Sequence, residues 1–368
     1  MRAAACVLAA GLWAASGCGD GSPRTSTPGH APARGGERRA SPVDHLGLRR
    51  QVGQLLILSF HGTQVPGYVQ RILRDRRAAG VILAADNIAS PQQLRTLTRS
   101  LQRAGGGSVL VSTDQEGGPV RIVPFAGPAR GQAENATPAV VRARARAAAR
   151  ELRDLGVNVN LAPVADVAAS GSVVGGRAFR GGPGTVAALV AATVRGAGAG
   201  GVAPTLKHFP GFGAAGANTD DRSVTIDRSA ALLRAQDLAP FRAGVRAGAP
   251  LVMAAHATYS SLDPGRIASQ SPVLLGRVLR GELGFRGVAI TDSIEARAVI
   301  GRSAVDEAAV RSVAAGADLV LMTGPGSYRL VFPRLVREAR RSAVFRRRVR
   351  EAAGRVLELK RRLRLRPA

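Results

Sequence analysis

Residues 287–293 of this 368-residue chain read Gly-Val-Ala-Ile-Thr-Asp-Ser, a short apolar run that ends in a carboxylate. Longer amphipathic stretches separate it from seven similar runs. The eight runs are Leu55–Phe60, Gly80–Ala84, Ser108–Thr113, Val157–Pro163, Val202–Lys207, Pro250–Ala255, Gly287–Thr291 and Asp318–Met322. Nearly continuous hydrophobicity is typical of parallel strands that are covered on both faces. Eight such strands alternating with helices predict an α/β fold, a single (β/α)8 TIM barrel.

Capping residues indicate where the intervening helices begin and end. Three pairs place a hydroxyl before a proline, as at a helix N-terminus: Ser90-Pro91, Thr137-Pro138 and Ser271-Pro272. Three glycines precede the next apolar run, as at a helix C-terminus: Gly156, Gly284 and Gly316. An open doubly wound sheet is the alternative. No Gly-x-Gly-x-x-Gly follows the first run, which weakens a dinucleotide-binding interpretation.

The first 18 residues predict a lipoprotein signal peptide. Met1 and Arg2 precede an apolar run, Ala3–Ala15, that is too short to span a bilayer. The following Ala15–Cys18 resembles a bacterial lipobox, in which the cysteine is lipidated and becomes the new N-terminus. A plain secretory signal or an unprocessed helix is the alternative. We therefore expect a membrane-anchored lipoprotein on the extracytoplasmic side of a bacterial cell envelope, without a disulfide, since Cys6 would leave with the leader.

Residues 19–43 are rich in Gly, Ser, Pro, Thr and Arg and contain almost no large apolar residue. Such a segment cannot bury a core, so it predicts a flexible tether. We expect residues 44–368 to form the barrel together with a basic C-terminal helix.

The formal net charge of +27 raises nucleic acid and anionic membranes as partners. We expect no nucleic acid, because the leader implies export and the arginines lack interleaved aromatic residues or a binding motif. The strongest basic cluster is Arg329–Arg366, which includes Arg346–Arg348. A solvated helix face is its simplest interpretation, and contact with anionic lipid or wall polymer is the alternative.

Polar residues follow five of the apolar runs. They are Asp114–Gly118, Asp166, Lys207-His208, His256 and Asp292. The carboxyl ends of the strands meet at one mouth of a (β/α)8 barrel, where the chemistry of this fold takes place. The sequence therefore predicts an active site at that mouth.

Six segments resemble, in order, the motifs of family 3 glycoside hydrolases. They are STDQEGGPVR (112–121), NLAPVADV (160–167), GGRAF (175–179), LKHFPGFG (206–213), MAAHATY (253–259) and GELGFRGVAITDS (281–293). The resemblance is greater to the single-domain β-N-acetylglucosaminidases than to the β-glucosidases. It implies a carbohydrate substrate and hydrolysis of terminal β-linked sugars, with N-acetylglucosamine from cell-wall fragments as the expected sugar. We expect a monomer that needs no cofactor.

The resemblance also implies roles for individual residues. Asp292 matches the nucleophile of a retaining mechanism, in which a carboxylate attacks the anomeric carbon. Asp114 matches the carboxylate that grips sugar hydroxyls, and Arg177, Lys207 and His208 match the cluster around the substrate. From the residues alone, Asp292 could instead cap the following helix, Lys207 could be a surface charge and His208 a core histidine.

His256 and Arg121 complete the expected substrate-binding set. His256 is expected to line or support the pocket rather than to bind metal, because no second ligand lies at helical or hairpin spacing. The family's arginine eight positions beyond Asp114 is Ile122 here, with Arg121 one place earlier and Pro119 where another arginine is usual. Arg121 is therefore the expected substitute.

The general acid is the main departure from the family pattern. The N-acetylglucosaminidases have a loop ending in Asp-Ser-His, whose histidine is the acid/base; here the loop ends in Asn218-Thr219-Asp220-Asp221-Arg222. Phe212 replaces a further histidine, and Arg222 cannot donate a proton. Asp220 or Asp221 could serve if desolvation raised its pKa. The alternatives are a non-catalytic sugar-binding envelope lipoprotein without the acid, or an unrelated barrel enzyme.

Overall fold

Eight parallel strands close into a barrel in chain order. They are β1 (Leu56–Leu58), β2 (Gly80–Ile82), β3 (Leu110–Thr113), β4 (Val159–Asn160), β5 (Ala203–Phe209), β6 (Leu251–Ala254), β7 (Val288–Ser293) and β8 (Leu319–Leu321). Each predicted apolar run overlaps one of them, so the predicted (β/α)8 barrel is confirmed. The computed structural model describes residues 42–134, 137–324 and 326–367. The predicted signal peptide, its Cys18 and the tether as far as residue 41 lie outside the described residues.

Alternate side chains of the strands point into the barrel and out toward the helices. Ile57, Met253 and Ile290 belong to the cluster that fills the barrel interior. Leu56 and Leu58, on either side of Ile57, belong to a second cluster that includes helix residues. Both faces of the strands are therefore buried, which explains why the runs are apolar throughout.

Helices surround the barrel. They are α1 (Leu48–Gly53), α2 (Gly67–Arg74), α3 (Pro91–Ala104), α4 (Pro138–Asp154), α5 (Pro183–Gly200), α6 (Ala230–Leu232), α7 (Leu238–Arg246), α8 (Arg297–Ile300), α9 (Val305–Ala315), α10 (Ser327–Arg341) and α11 (Ala343–Arg362). A π-helical turn, Leu233–Asp237, joins α6 to α7, and a π-helical segment, Val273–Glu282, lies between β6 and β7. Short strands at Gln115–Gly117 with Val120–Arg121, and at Thr225–Ile226, Thr258–Tyr259 and Asp263–Ile267, pair outside the barrel.

The predicted helix ends are confirmed. The hydroxyl of Ser90 accepts a hydrogen bond from the Gln93 N–H at 3.1 Å, and that of Thr137 accepts one from the Val140 N–H at 3.4 Å. The Ser271 hydroxyl likewise accepts from a backbone N–H, that of Leu274, at 3.0 Å. The three predicted terminal glycines have positive φ angles: Gly156 at 86°, Gly284 at 66° and Gly316 at 125°. This conformation is readily adopted by glycine.

Helix α11 closes the end of the barrel where the strands begin. Val356 and Leu359 of this helix join the cluster that fills the barrel interior. Arg348 and Arg355 form ion pairs with the buried carboxylate of Asp318 at 2.5 and 3.0 Å. The prediction of a solvated helix face is therefore wrong for Arg348, whose side chain is only 14% exposed. The helix face is exposed at the neighbouring residues 346 and 347.

The described chain begins with a 3-10 turn, Pro42–His45, before α1. Val43, which we predicted as the last residue of the tether, is buried in the core. Among the described residues, no helix is both long enough and apolar enough to cross a membrane.

Candidate active site

A cavity of about 420 Å³ opens at the carboxyl ends of the strands. This volume lies within the range of small-molecule sites. Its charged and titratable lining residues are Asp114, Arg177, Lys207, His208, Asp220 and Asp292. The structure therefore brings six of the nine predicted site residues into one pocket. Arg121, Asp221 and His256 do not line it.

Lys207 forms the centre of an ion-pair network on one wall of the pocket. Its Nζ atom lies 2.5 Å from Asp114 Oδ1 and 2.7 Å from Glu116 Oε1. Arg177 binds the same Glu116 through two atoms, Nε and Nη2, at 2.9 and 2.6 Å. The Lys207 side chain is only 3% exposed, so the alternative of a surface lysine is wrong.

This network fixes the charges around the ligand space. Burial opposes ionisation of Glu116, but Lys207 and Arg177 outweigh it and lower the pKa of Glu116 to about 2. Burial also disfavours the Lys207 cation, yet Asp114 and Glu116 raise its pKa above the usual value. Both groups therefore stay charged near neutral pH, so neither is suited to proton transfer. Asp114 keeps 30% of its side chain exposed at the cavity, where its carboxylate can accept hydrogen bonds.

His208 is held by a buried carboxylate behind the pocket. Its Nδ1 lies 2.8 Å from Asp166 Oδ2, and Asp166 Oδ1 accepts hydrogen bonds from the backbone N–H groups of His208 and Phe212 at 3.1 and 2.7 Å. The ring thus has a fixed orientation at the cavity wall. The sequence placed Asp166 and Glu116 after apolar runs but assigned them no role. Acidic residues directly after a buried strand were the available signal.

Asp292 lies at the end of β7, on the pocket surface. Its Oδ1 accepts a hydrogen bond from the Ser293 N–H at 2.8 Å. Burial raises the pKa of Asp292, but His208, the Ser293 N–H and Lys207 together hold it below the usual value. The alternative of a helix cap is wrong, since the N-cap of α8 is Ala296, with no side-chain cap. Asp292 is therefore an ionised carboxylate at the cavity, as a nucleophile must be.

His256 supports the segment that carries Asp292. Its Nδ1 lies 2.8 Å from the Ser269 hydroxyl and its Nε2 lies 2.8 Å from the Ser293 carbonyl oxygen. Burial lowers the pKa of His256, which favours the neutral ring. Both ring nitrogens contact protein atoms, so His256 supports the pocket rather than binding the substrate directly. Among the described residues, no group of three or more His, Cys, Asp or Glu is arranged to hold a metal ion.

The loop after β5 brings three consecutive residues, Asn218, Thr219 and Asp220, to the pocket. The Asn218 amide donates to Asp220 Oδ2 at 3.2 Å, and the Asp220 N–H donates to Asn218 Oδ1 at 3.1 Å. Backbone hydrogen bonds from the N–H groups of residues 297 and 298 to the carbonyls of residues 220 and 219 fix the loop beside β7. Asp221 and Arg222 are exposed and do not line the cavity. Of the two predicted acids, only Asp220 is therefore positioned to reach a ligand.

Asp220 is exposed at the edge of the cavity, yet its environment disfavours the charged form. Partial desolvation and the nearby Asp292 carboxylate raise the pKa of Asp220, outweighing the hydrogen bond from Asn218. The pocket thus contains one carboxyl group with a lowered pKa and one with a raised pKa. Environments that separate two pKa values in this way are typical of an acid and nucleophile pair.

Arg121 does not reach the cavity. Its Nε donates to the Ala126 carbonyl oxygen at 2.9 Å, while the flanking residues Val120 and Ile122 line the pocket. Neighbouring residues of an extended strand point in opposite directions, so the shift of one position turns the guanidinium away. Arg121 is therefore not positioned to contact a substrate in the cavity, contrary to the expectation from the sequence.

Comparisons with known proteins show the family and the fold of this chain. A family model, "Glycosyl hydrolase family 3 N terminal domain", matches residues 47–359. A "Beta-hexosaminidase" of Stenotrophomonas maltophilia (strain R551-3) is 37% identical over 281 residues, covering 74% of this chain and 84% of the relative. A solved β-N-acetylhexosaminidase from Beutenbergia cavernae DSM 12333 aligns with TM-score 0.79 and 31% identity, covering 86% of this chain and 98% of that one.

A solved family 3 β-N-acetylglucosaminidase from Paenibacillus sp. str. FPU-7 aligns with TM-score 0.83 and 32% identity. The alignment covers 87% of this chain and 63% of the Paenibacillus chain, so this chain spans less than two thirds of that protein. Both solved structures therefore share the barrel described above.

Proposed function

Because this chain belongs to glycosyl hydrolase family 3, we propose that it hydrolyses terminal β-linked N-acetylglucosamine by a retaining mechanism. The observation that carries this proposal is the pair formed by Asp292 and Asp220 in one pocket. Asp292 has a lowered pKa and is ionised, whereas the pKa of Asp220 is raised. The two shifts run in opposite directions: one favours the ionised form that a nucleophile requires, and the other favours the protonated form that a general acid requires.

In the first step, Asp292 attacks the anomeric carbon while Asp220 protonates the leaving oxygen, which gives a glycosyl-enzyme ester and a free alcohol. In the second step, the ionised Asp220 accepts a proton from water as the water oxygen attacks the anomeric carbon. The Asp292 carboxylate leaves, and both aspartates return to their starting states. Lys207 and Arg177 keep their charges throughout, so they position the sugar and Asp114 rather than move protons.

The closed floor of the pocket favours a terminal sugar. The barrel interior ends at the cavity floor, where Ile82, Leu161, Met253 and Leu321 line it. When a sugar ring occupies the pocket, the rest of the substrate can therefore extend only toward the mouth. N-acetylglucosamine as the sugar, and cell-wall fragments as the source, are proposed from the names of the relatives and from the expected location in the envelope.

One assay tests the proposal directly. The purified full chain is incubated with nitrophenyl N-acetyl-β-glucosaminide, nitrophenyl β-glucoside and a β-linked N-acetylglucosamine disaccharide. We expect release of N-acetylglucosamine from the first and third substrates. Preference for the β-glucoside would contradict the assignment of the sugar. Sugar binding without any hydrolysis would instead support a non-catalytic sugar-binding protein.

The two pKa shifts predict the pH dependence of kcat/KM. Activity should fall at acidic pH as Asp292 is protonated, below the ordinary aspartate value of 3.8 because its pKa is lowered. It should fall at higher pH as Asp220 loses its proton, above 3.8 because its pKa is raised. Steady-state rates with the β-linked disaccharide, whose leaving oxygen needs a proton, measure both limbs across pH. Persistence of the alkaline limb in an Asp220→Asn variant would show that another group is the acid.

We also propose that the protein is anchored in the bacterial envelope through a lipid on Cys18. The support is the apolar leader that ends in Ala15–Cys18, followed by a polar tether. Mass spectrometry of the native protein should find Cys18 as the N-terminal residue, carrying acyl chains. A Cys18→Ala variant is the control and should remain in the soluble fraction. An unmodified N-terminus at Gly19 or elsewhere would disprove the anchor.

A further inference from the structure

Arginines line two clefts at the end of the barrel opposite the mouth. The first cleft, of about 780 Å³, lies where β5 and β6 begin and contains five arginines: Arg142, Arg153, Arg195, Arg362 and Arg364. The second, of about 590 Å³, contains three: Arg99, Arg103 and Arg366. We refer to these eight residues as the arginine face. Neither cleft has an Asp or Glu among its lining residues, whereas the mouth pocket has three aspartates.

The chain segment after α11 connects the two clefts. Arg362 and Arg364 line the first cleft, and Arg366 lines the second. The Arg366 N–H donates to the Gly107 carbonyl oxygen at 3.0 Å, which fixes the segment across this end of the barrel. The arginine face is therefore a continuous surface rather than two separate sites.

Most of the positive charge on this face is not neutralised. Arg153 pairs with Asp154 at 3.1 Å and Arg362 with Glu358 at 3.0 Å. Among the described residues, the other six have no acidic partner, and all six are exposed. Six guanidinium groups without an acidic partner lie on one surface. Their positive potentials add up, because no carboxylate neutralises them.

We propose that the arginine face binds the phosphate headgroups of an anionic phospholipid membrane. Arginine matches phosphate geometry through paired N–H donors, and several arginines together suit an array of phosphates better than one small anion. Leu363 beside these cations is half-buried, and Leu359 is buried in the barrel interior. Contact is therefore expected with the headgroups rather than with the acyl chains.

The chain preceding the described domain favours the same partner. Forty-one residues precede Pro42, and the proposed anchor at Cys18 would leave about 24 of them as a tether. A random-coil chain of 24 residues has an end-to-end distance of roughly 25 to 30 Å, so a tether with the predicted character would keep an anchored domain close to the membrane. Weak headgroup contacts then suffice, because binding to an adjacent surface is effectively intramolecular.

Membrane contact at the arginine face would orient the barrel. All eight strands run in the same direction, so the pocket lies at their carboxyl ends and the arginine face at their amino ends. A barrel bound by its arginine face would therefore present the pocket away from the lipid, toward soluble oligosaccharides.

Vesicle sedimentation tests the proposal without the lipid anchor. The full chain carrying Cys18→Ala is mixed with vesicles of phosphatidylcholine alone, or of phosphatidylcholine with roughly 30% phosphatidylglycerol. This anionic lipid gives the vesicle a negative surface potential that attracts basic segments. We expect binding only to the anionic vesicles. The triple variant Arg142→Gln/Arg195→Gln/Arg364→Gln should weaken that binding by about 100-fold, because each cation that is removed is expected to cost about fivefold in affinity.

A matched variant separates the arginine face from net charge. Arg266→Gln/Arg297→Gln/Arg329→Gln removes three exposed arginines from segments that follow strands β6, β7 and β8, and should leave vesicle binding within about threefold of the parent. An equal loss in both triple variants would overturn the proposal, because total charge would then explain binding. Binding to a soluble glycerol-phosphate polymer but not to anionic vesicles would also overturn it, in favour of a wall polymer. Thermal unfolding of each variant checks that the fold is intact.

Discussion

Asp292→Asn is expected to lower kcat/KM by about 10⁴- to 10⁶-fold, the range found when an enzyme's nucleophile is removed. The asparagine side chain has nearly the same shape, but its amide is a far weaker nucleophile toward the anomeric carbon. The Ser293 N–H can still donate to the amide oxygen, so the local structure should be retained. Steady-state kinetics with the nitrophenyl substrate measure the loss.

Labelling tests the same residue independently. A 2-fluoro glycoside inactivator should form a stable ester on the peptide that contains Asp292, located by mass spectrometry. Asp86→Asn is the matched control, since Asp86 is an exposed carboxylate outside the pocket lining. It should retain activity within about twofold, as expected for a surface change. Unchanged turnover in Asp292→Asn, or a label on another carboxylate, would refute the assignment.

Asp220→Ala is expected to reduce hydrolysis of a natural disaccharide by about 10² to 10⁴-fold, the usual contribution of general acid catalysis. Glycosylation by nitrophenyl glycosides should be affected far less, because nitrophenolate leaves without protonation. Their hydrolysis would then be limited by the second step, in which water needs a base. Azide should restore turnover of nitrophenyl substrates and yield a β-glycosyl azide, since the anion attacks without base assistance.

Asp221→Ala provides the matched control for this experiment. Asp221 is the next residue in the loop and carries the same charge, but it is exposed and does not line the pocket. Its removal should change the rate by less than about threefold, because its charge is the weakest of the influences that shift the pKa of Asp220. If Asp220→Ala leaves disaccharide hydrolysis intact, or Asp221→Ala reduces it equally, Asp220 is not the acid.

The barrel could be predicted because each strand is covered on both faces and is therefore apolar throughout. Runs such as Gly287–Thr291 indicate burial without any knowledge of their neighbours. The mouth could also be predicted, since residues that follow parallel strands, such as Asp292 and Lys207, share one end of the barrel. These inferences require only local pattern and the common direction of the strands.

The partners of the site residues could not be predicted in the same way. Glu116 and Asp166 act through bonds to Arg177 and His208 that join residues 61 and 42 positions apart. The choice between Asp220 and Asp221 depends on how one loop lies against the segment after β7. The orientation of the Arg121 side chain depends on a shift of one residue along a strand, because alternate side chains face the cavity and the opposite side.

The position of α11 has a consequence for the biogenesis of the protein. This helix contributes Val356 and Leu359 to the barrel interior and two of the three arginines that bind Asp318, the third being Arg280. A ribosome delivers residues in chain order, so all eight strands are synthesised before the helix that seals them. Until then, the carboxylate of Asp318 lacks two of its counter-ions and the apolar interior is open to water at one end. We therefore expect the barrel to complete its folding only after α11 is available, and to expose until then hydrophobic surface that chaperones can recognise.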